Sequence, residues 1–84
     1  MVHVPKLTQR ALQRLLGRNV LRLREEQGLS QEELAEASGL SVRNLQRLEV
    51  GEVNANLVTI VSLANALGVD PVVLLAPAPK RVKE

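Results

Sequence analysis

Between Ser30 and Glu49 the chain reads SQEELAEASGLSVRNLQRLE, two short runs with helical spacing, each opened by a serine and joined across one glycine. Ser30 and Glu33 have the S-x-x-E spacing of a capping box, in which each side chain satisfies the other residue's free backbone N–H. Gly39 can adopt the left-handed backbone that stops a helix, and Ser41 can cap the next one two residues later. So short a connection forces a corner: helix, tight turn, helix. The second helix then projects as a probe, and further helices must cover the apolar side of the pair.

The rest of the chain supplies them. Apolar residues recur at threes and fours throughout, and no stretch shows convincing strand alternation. Thr8 caps a first helix running to about Gln27, with Leu12, Leu15, Leu16, Val20 and Leu23 in one stripe and Gly28 as its stop. Gly17 interrupts that stripe. The second helix turns Leu34, Ala35 and Ser38 inward, and the third turns Leu45 and Leu48 inward until Gly51. GEVNAN is a loop by composition. Asn56 caps a fourth helix with Leu57, Ile60, Leu63, Ala64 and Leu67 on its buried side, and Gly68 ends it. Asp70 and Pro71 open a short fifth helix, VVLLA, because proline suits the first helical position. The expectation is an all-α, five-helix domain. Residues 1–15 form a basic N-terminal extension of helix 1, 16–76 the helix-turn-helix domain, and 77–84 a flexible basic tail.

The net charge of +2 conceals an uneven distribution. Lys6, Arg10, Arg14, Arg18, Arg22 and Arg24 precede the first acid, whereas residues 25–70 carry acids throughout and only Arg43 and Arg47 as bases. A polyanion would meet positive charge at the chain ends and at that central pair. Other classes find less support. The chain lacks cysteine, any apolar run of membrane-spanning length and the apolar start of a secretion signal, so a cytoplasmic location without membrane contact is expected. His3 has no partner residue, no His/Cys/Asp/Glu cluster has metal spacing, and no glycine-rich loop follows a strand. Catalysis, a metal and a cofactor are therefore not expected. With no Phe, Tyr or Trp for bases to stack on, duplex DNA fits better than single strands.

On a helical wheel Val42, Arg43, Gln46, Arg47 and Val50 lie away from Leu45 and Leu48. An exposed face of arginine and glutamine suits the major groove, where Arg can bond a guanine edge and Gln an adenine edge. From about Leu16 to Leu75 the chain resembles the phage-repressor-like helix-turn-helix regulators, also called XRE or Cro-like. The resemblance lies in LGRNVLRLREEQGLSQEELAEASGLS, then LQRLEVGE, then TIVSLANALGVDPVVLL. It implies a lambda-repressor-like domain that binds duplex DNA and regulates transcription. It also implies a phosphate contact for Gln31, base contacts for Val42, Arg43 and Arg47, and a structural ion pair between Arg24 and Glu49. Gln46 joins the base-contacting set by its place on the same face.

Two departures from the family pattern stand out. Many members have glutamine where this chain has Val42, and valine can only pack on a thymine methyl. The family's common Pro-Ser is here Ala55-Asn56, and the loop has no basic residue, so phosphate contacts there fall to Asn54, Asn56 and backbone N–H groups, with Ser41 a separate candidate at the start of the third helix. Arg22 is a further phosphate candidate. For each of these residues an ordinary solvated side chain is the alternative, and for the arginine row of the first helix it is the favoured one.

Val72, Val73, Leu74 and Leu75 point all round a helix, and Val58 projects from the fourth, so a homodimer through these residues is expected. The function implied is a dimeric repressor or autoregulator acting by operator occupancy. The alternative, favoured by the acidic middle, is an antitoxin or adaptor whose scaffold mainly holds a protein partner such as a toxin.

Overall fold

The computed structural model describes residues 6–79, so His3 and the charges from Lys80 onward lie outside the described residues. Five helices follow in order: α1 Gln9–Glu26, α2 Gln31–Ser38, α3 Val42–Glu49, α4 Leu57–Leu67 and α5 Pro71–Leu75, with no strand among the described residues. Thr8, Ser30, Ser41, Asn56 and Asp70 are the N-caps, each accepting a backbone N–H of the first turn. At α2 the capping box is complete: Glu33 N–H donates to Ser30 Oγ at 3.0 Å, and Ser30 N–H donates to Glu33 Oε1 at 2.9 Å. Gly39 takes φ 77°, as the corner after α2 requires.

The core gathers Leu16, Val20 and Leu23 of α1, Leu34 and Ala35 of α2, Leu45 and Leu48 of α3, Ile60, Leu63, Ala64 and Leu67 of α4, and Leu74 of α5. Burying each leucine contributes about 1.5–3 kcal/mol, which holds the α2–α3 corner against α1 and α4.

Three features that periodicity does not reveal lock this arrangement. Gly17 is where α1 crosses the end of α3: a Cβ there would lie 2.3 Å from Leu48 O and 2.8 Å from Glu49 O. Asn19, fully buried, donates from Nδ2 to Leu74 O and Ala76 O, each at 2.7 Å, and so fastens the end of α5 to the middle of α1. Gln27 Nε2 donates to Leu67 O at 2.7 Å, closing the end of α4.

Some expectations need correction. Leu57, placed on the buried side of α4, is 78% exposed, because the core contacts of that helix begin one turn later at Ile60. Leu74, placed in a dimer contact, is fully buried, because it is the α5 residue that faces α1 and α4. Leu75 is half-buried against the same core, and Leu12 and Leu15 of α1 are half-buried. Ser38 is half-buried and returns its hydroxyl to Leu34 O at 2.7 Å. Leu21, on the polar side of α1, is also half-buried.

Candidate nucleic-acid interface

α3 presents its outer stripe because Leu45, Leu48 and Glu49 hold its inner side in the core. Arg43, Gln46, Arg47 and Val50 succeed one another along that stripe, and all four are exposed. Among the described residues, neither Arg43 nor Arg47 is in an ion pair. Their guanidinium groups are thus available to guanine edges or phosphates. Val42 departs from the wheel reading: it is half-buried against the core, because it lies three and seven residues before the buried Leu45 and Glu49. Its remaining exposed surface is small and apolar, suited to packing and not to hydrogen bonding.

A chain of hydrogen bonds fixes the base of this probe. Arg24 Nε donates to Glu49 Oε2 at 2.7 Å, Arg24 Nη2 to Glu49 Oε1 at 3.3 Å, and Arg24 Nη1 to Leu29 O at 2.9 Å. Glu49 is only 7% exposed, so its charge depends on these partners. The hydrogen bond to Glu49 raises the Arg24 pKa further above its ordinary value, outweighing desolvation. Gln31 Nε2 donates to Glu49 Oε1 at 2.9 Å, and Gln31 Oε1 accepts from Gln46 Nε2 at 3.2 Å. The first residue of α2 is therefore tied to the middle of α3. One amide hydrogen of Gln31 and the Oε1 of Gln46 remain directed to solvent chemistry, the first suited to a phosphate and the second to a base-edge donor.

Beside the stripe, Asn44, Arg47, Asn54, Asn56 and Thr59 line one shallow groove between α3, the following loop and the start of α4. Asn56 Oδ1 accepts from Thr59 N–H at 2.9 Å, which leaves its NH₂ group to face outward. Ser41 Oγ likewise accepts from Asn44 N–H at 3.1 Å and keeps its hydroxyl proton. Asn54 and Asn44 are exposed donors in the same groove. Asn44 was not singled out by the sequence, although its place three residues before Arg47 puts the two on one side of the helix.

Arg22 lies elsewhere. Its guanidinium bonds Glu26 Oε2 and Asn19 Oδ1, each at 3.3 Å, and its Nε is buried without a partner. It borders a groove with Pro77 and Ala78, not the groove beside α3. No group of three His, Cys, Asp or Glu residues is placed to hold a metal among the described residues, and none of their helices is long and apolar enough to cross a membrane.

The family model described as Helix-turn-helix (HTH_3) matches residues 20–74. An uncharacterized HTH-type transcriptional regulator, y4dJ of Sinorhizobium fredii, is 46% identical over 66 residues, which are 79% of this chain and 86% of that protein. The restriction-modification controller protein C.AhdI of Aeromonas hydrophila superposes with a TM-score of 0.72 at 40% identity, over 74% of this chain and 94% of that one. The clp gene regulator ClgR of Corynebacterium glutamicum superposes with a TM-score of 0.72 at 33% identity, over 76% of this chain and 83% of that one.

Proposed function

Because the chain belongs to the helix-turn-helix family of DNA-binding transcriptional regulators, we propose that it binds a specific operator as a homodimer. It acts there as a repressor or autoregulator by occupying the site. The observation that carries this reading is the exposed Arg43, Gln46, Arg47 stripe, held from beneath by Gln31 and Glu49 and flanked by Asn44, Asn54 and Asn56. Arg43 and Arg47 read bases with Gln46, while Gln31, Ser41 and the three asparagines position the phosphate backbone. Occupancy needs no more than a domain of this kind, and the chain aligns with 94% of the controller protein C.AhdI. A regulator of this type works in the cytoplasm, beside the chromosome.

Exposed apolar side chains support the dimer. Val72 is 70% exposed and Val73 39% on α5, and Val58 is 74% exposed on the helix that packs against it. Two copies meeting through these residues would set their α3 helices about 34 Å apart, one DNA turn.

Selection of duplexes from a random pool tests the reading, and a two-fold repeated site is the expected product. On that site Arg43→Ala should cost about 1–3 kcal/mol per half-site and relax preference at one base-pair position in each. Loss of affinity equally on all sequences would make Arg43 a phosphate contact. Sedimentation should show a dimer that Val72→Glu with Val73→Glu disperses; a wild-type monomer at micromolar concentration, with and without DNA, would refute the assembly. Binding that ignores added salt would point instead to a protein partner.

A further inference from the structure

Arg10, Arg14, Arg18 and Arg22 recur every fourth residue of α1, so the row turns by about 40° at each step. The fold splits it in two. Arg18 and Arg22 border the groove against Pro77 and Ala78. Arg10 and Arg14, with Gln13, border a different groove whose other wall is Val50, Gly51 and Glu52, the end of α3.

The seating there is close. A Cβ on Gly51 would lie 2.8 Å from Arg14 Cγ and 3.0 Å from Arg14 Cα, and Gln13 Nε2 donates to Gly51 O at 3.3 Å. Val50 belongs to the exposed stripe of Arg43, Gln46 and Arg47, so that stripe runs without a break into Arg10 and Arg14. Both arginines are exposed, and neither is in an ion pair among the described residues, Glu52 included. Arg22 and Arg24, by contrast, are paired with Glu26 and Glu49.

Resting on the DNA-binding reading above, we infer that Arg10 and Arg14 form a second phosphate-gripping site, continuous with α3, for the duplex backbone beyond the bases that α3 reads. From Arg43 to Val50 the helix axis advances about 10 Å, and from Arg10 to Arg14 about 6 Å. Phosphates follow one another at about 3.4 Å of axis per strand, so the two arginines address neighbouring phosphates a few nucleotides outside the base contacts. Arg18, turned to the other groove, does not take part.

The test titrates the wild type, Arg10→Gln, Arg14→Gln, Arg14→Lys and Arg18→Gln on the selected duplex and its single-base changes across a salt series. Arg10→Gln and Arg14→Gln should each lower the slope of log affinity against log salt by about one per protomer, about two for a dimer on its two half-sites, weakening all sequences alike. Arg14→Lys and Arg18→Gln should keep the wild-type slope. Slopes for Arg10→Gln and Arg14→Gln equal to that of Arg18→Gln overturn the inference, and a lowered melting temperature with an unchanged slope assigns the pair to bracing α3 instead. If Arg14→Gln does not fold, Arg10→Gln decides alone, since its side chain is exposed. A wild type with no salt-dependent duplex binding removes the DNA-binding reading itself, and this inference with it.

Discussion

Replacing Gly17 by alanine sets two effects of known size against each other. In the middle of an exposed helix the change would stabilise by about 1 kcal/mol, since glycine is among the poorest helix formers. At the α1–α3 crossing the new Cβ would stand 2.3 Å from Leu48 O, 2.8 Å from Glu49 O and 3.0 Å from Glu49 C, where ordinary contact begins near 3.4 Å. The obstacle is backbone on both sides, so no side chain can swing away. The helices must separate by about 1 Å, loosening Leu16 and Val20 against Leu45 and Leu48. Overpacking of this kind costs typically 1–3 kcal/mol and occasionally more, and a backbone clash belongs at the upper end. The net loss should be about 2 kcal/mol, or about 8–16 °C in Tm for a domain this small. In urea the midpoint should fall with the slope unchanged. A melting temperature equal to or above that of the wild type would refute the close crossing, because helix propensity alone would then account for the result.

Glu49→Ala strands a largely buried arginine and should cost about 3 kcal/mol, part of which the double replacement with Arg24→Ala returns; an unchanged melting curve would mean the pair is not buried. Asn19→Asp keeps the shape but removes the donors to Leu74 O and Ala76 O, and should lower stability at neutral pH by about 1–3 kcal/mol, read from denaturant midpoints. Glu33 titrates below its ordinary 4.5 because the Ser30 N–H and hydroxyl favour its carboxylate. A carboxyl whose folded pKa is depressed contributes stability above the unfolded value and loses it as pH falls through the folded one. Glu33→Gln, which can keep the cap, should therefore flatten the decline of Tm from about pH 5 downward; an unaltered decline would remove Glu33 from the acid response.

Local chemistry was legible and long-range chemistry was not. Caps act between residues two or three apart, so Thr8, Ser30, Ser41, Asn56 and Asp70 announced every helix start before any fold was known. The positive-φ glycines after the helices were legible for the same reason. Arg24 with Glu49 spans 25 positions and entered only through family resemblance, since nothing in either residue's neighbourhood names the other. Helical spacing tells which residues share a side but not how wide the buried arc is, hence Leu57 outside, and Leu74 and half of Val42 inside. Nothing in the sequence singles out Asn19, because its partners are carbonyls 54 to 57 positions away. Gly17 read as a defect for the same reason: the backbone that needs its missing side chain belongs to another helix.

The Asn19 clasp has a consequence for assembly. Five residues are too few for a helix to persist unaided in water, so α5 depends on the Asp70 cap, on the buried Leu74 and on the Asn19 amide that gathers its terminal carbonyls. In a dimer meeting through Val72 and Val73, that amide pre-organises the contact before any partner arrives. The entropy of ordering α5 is then met during folding and not at association. If the proposed dimer forms, a weakened clasp would raise its dissociation constant without altering one interfacial atom, and with it the concentration at which the proposed operator fills. Residue 19, buried in the first helix, would in this way set the dose at which the protein acts.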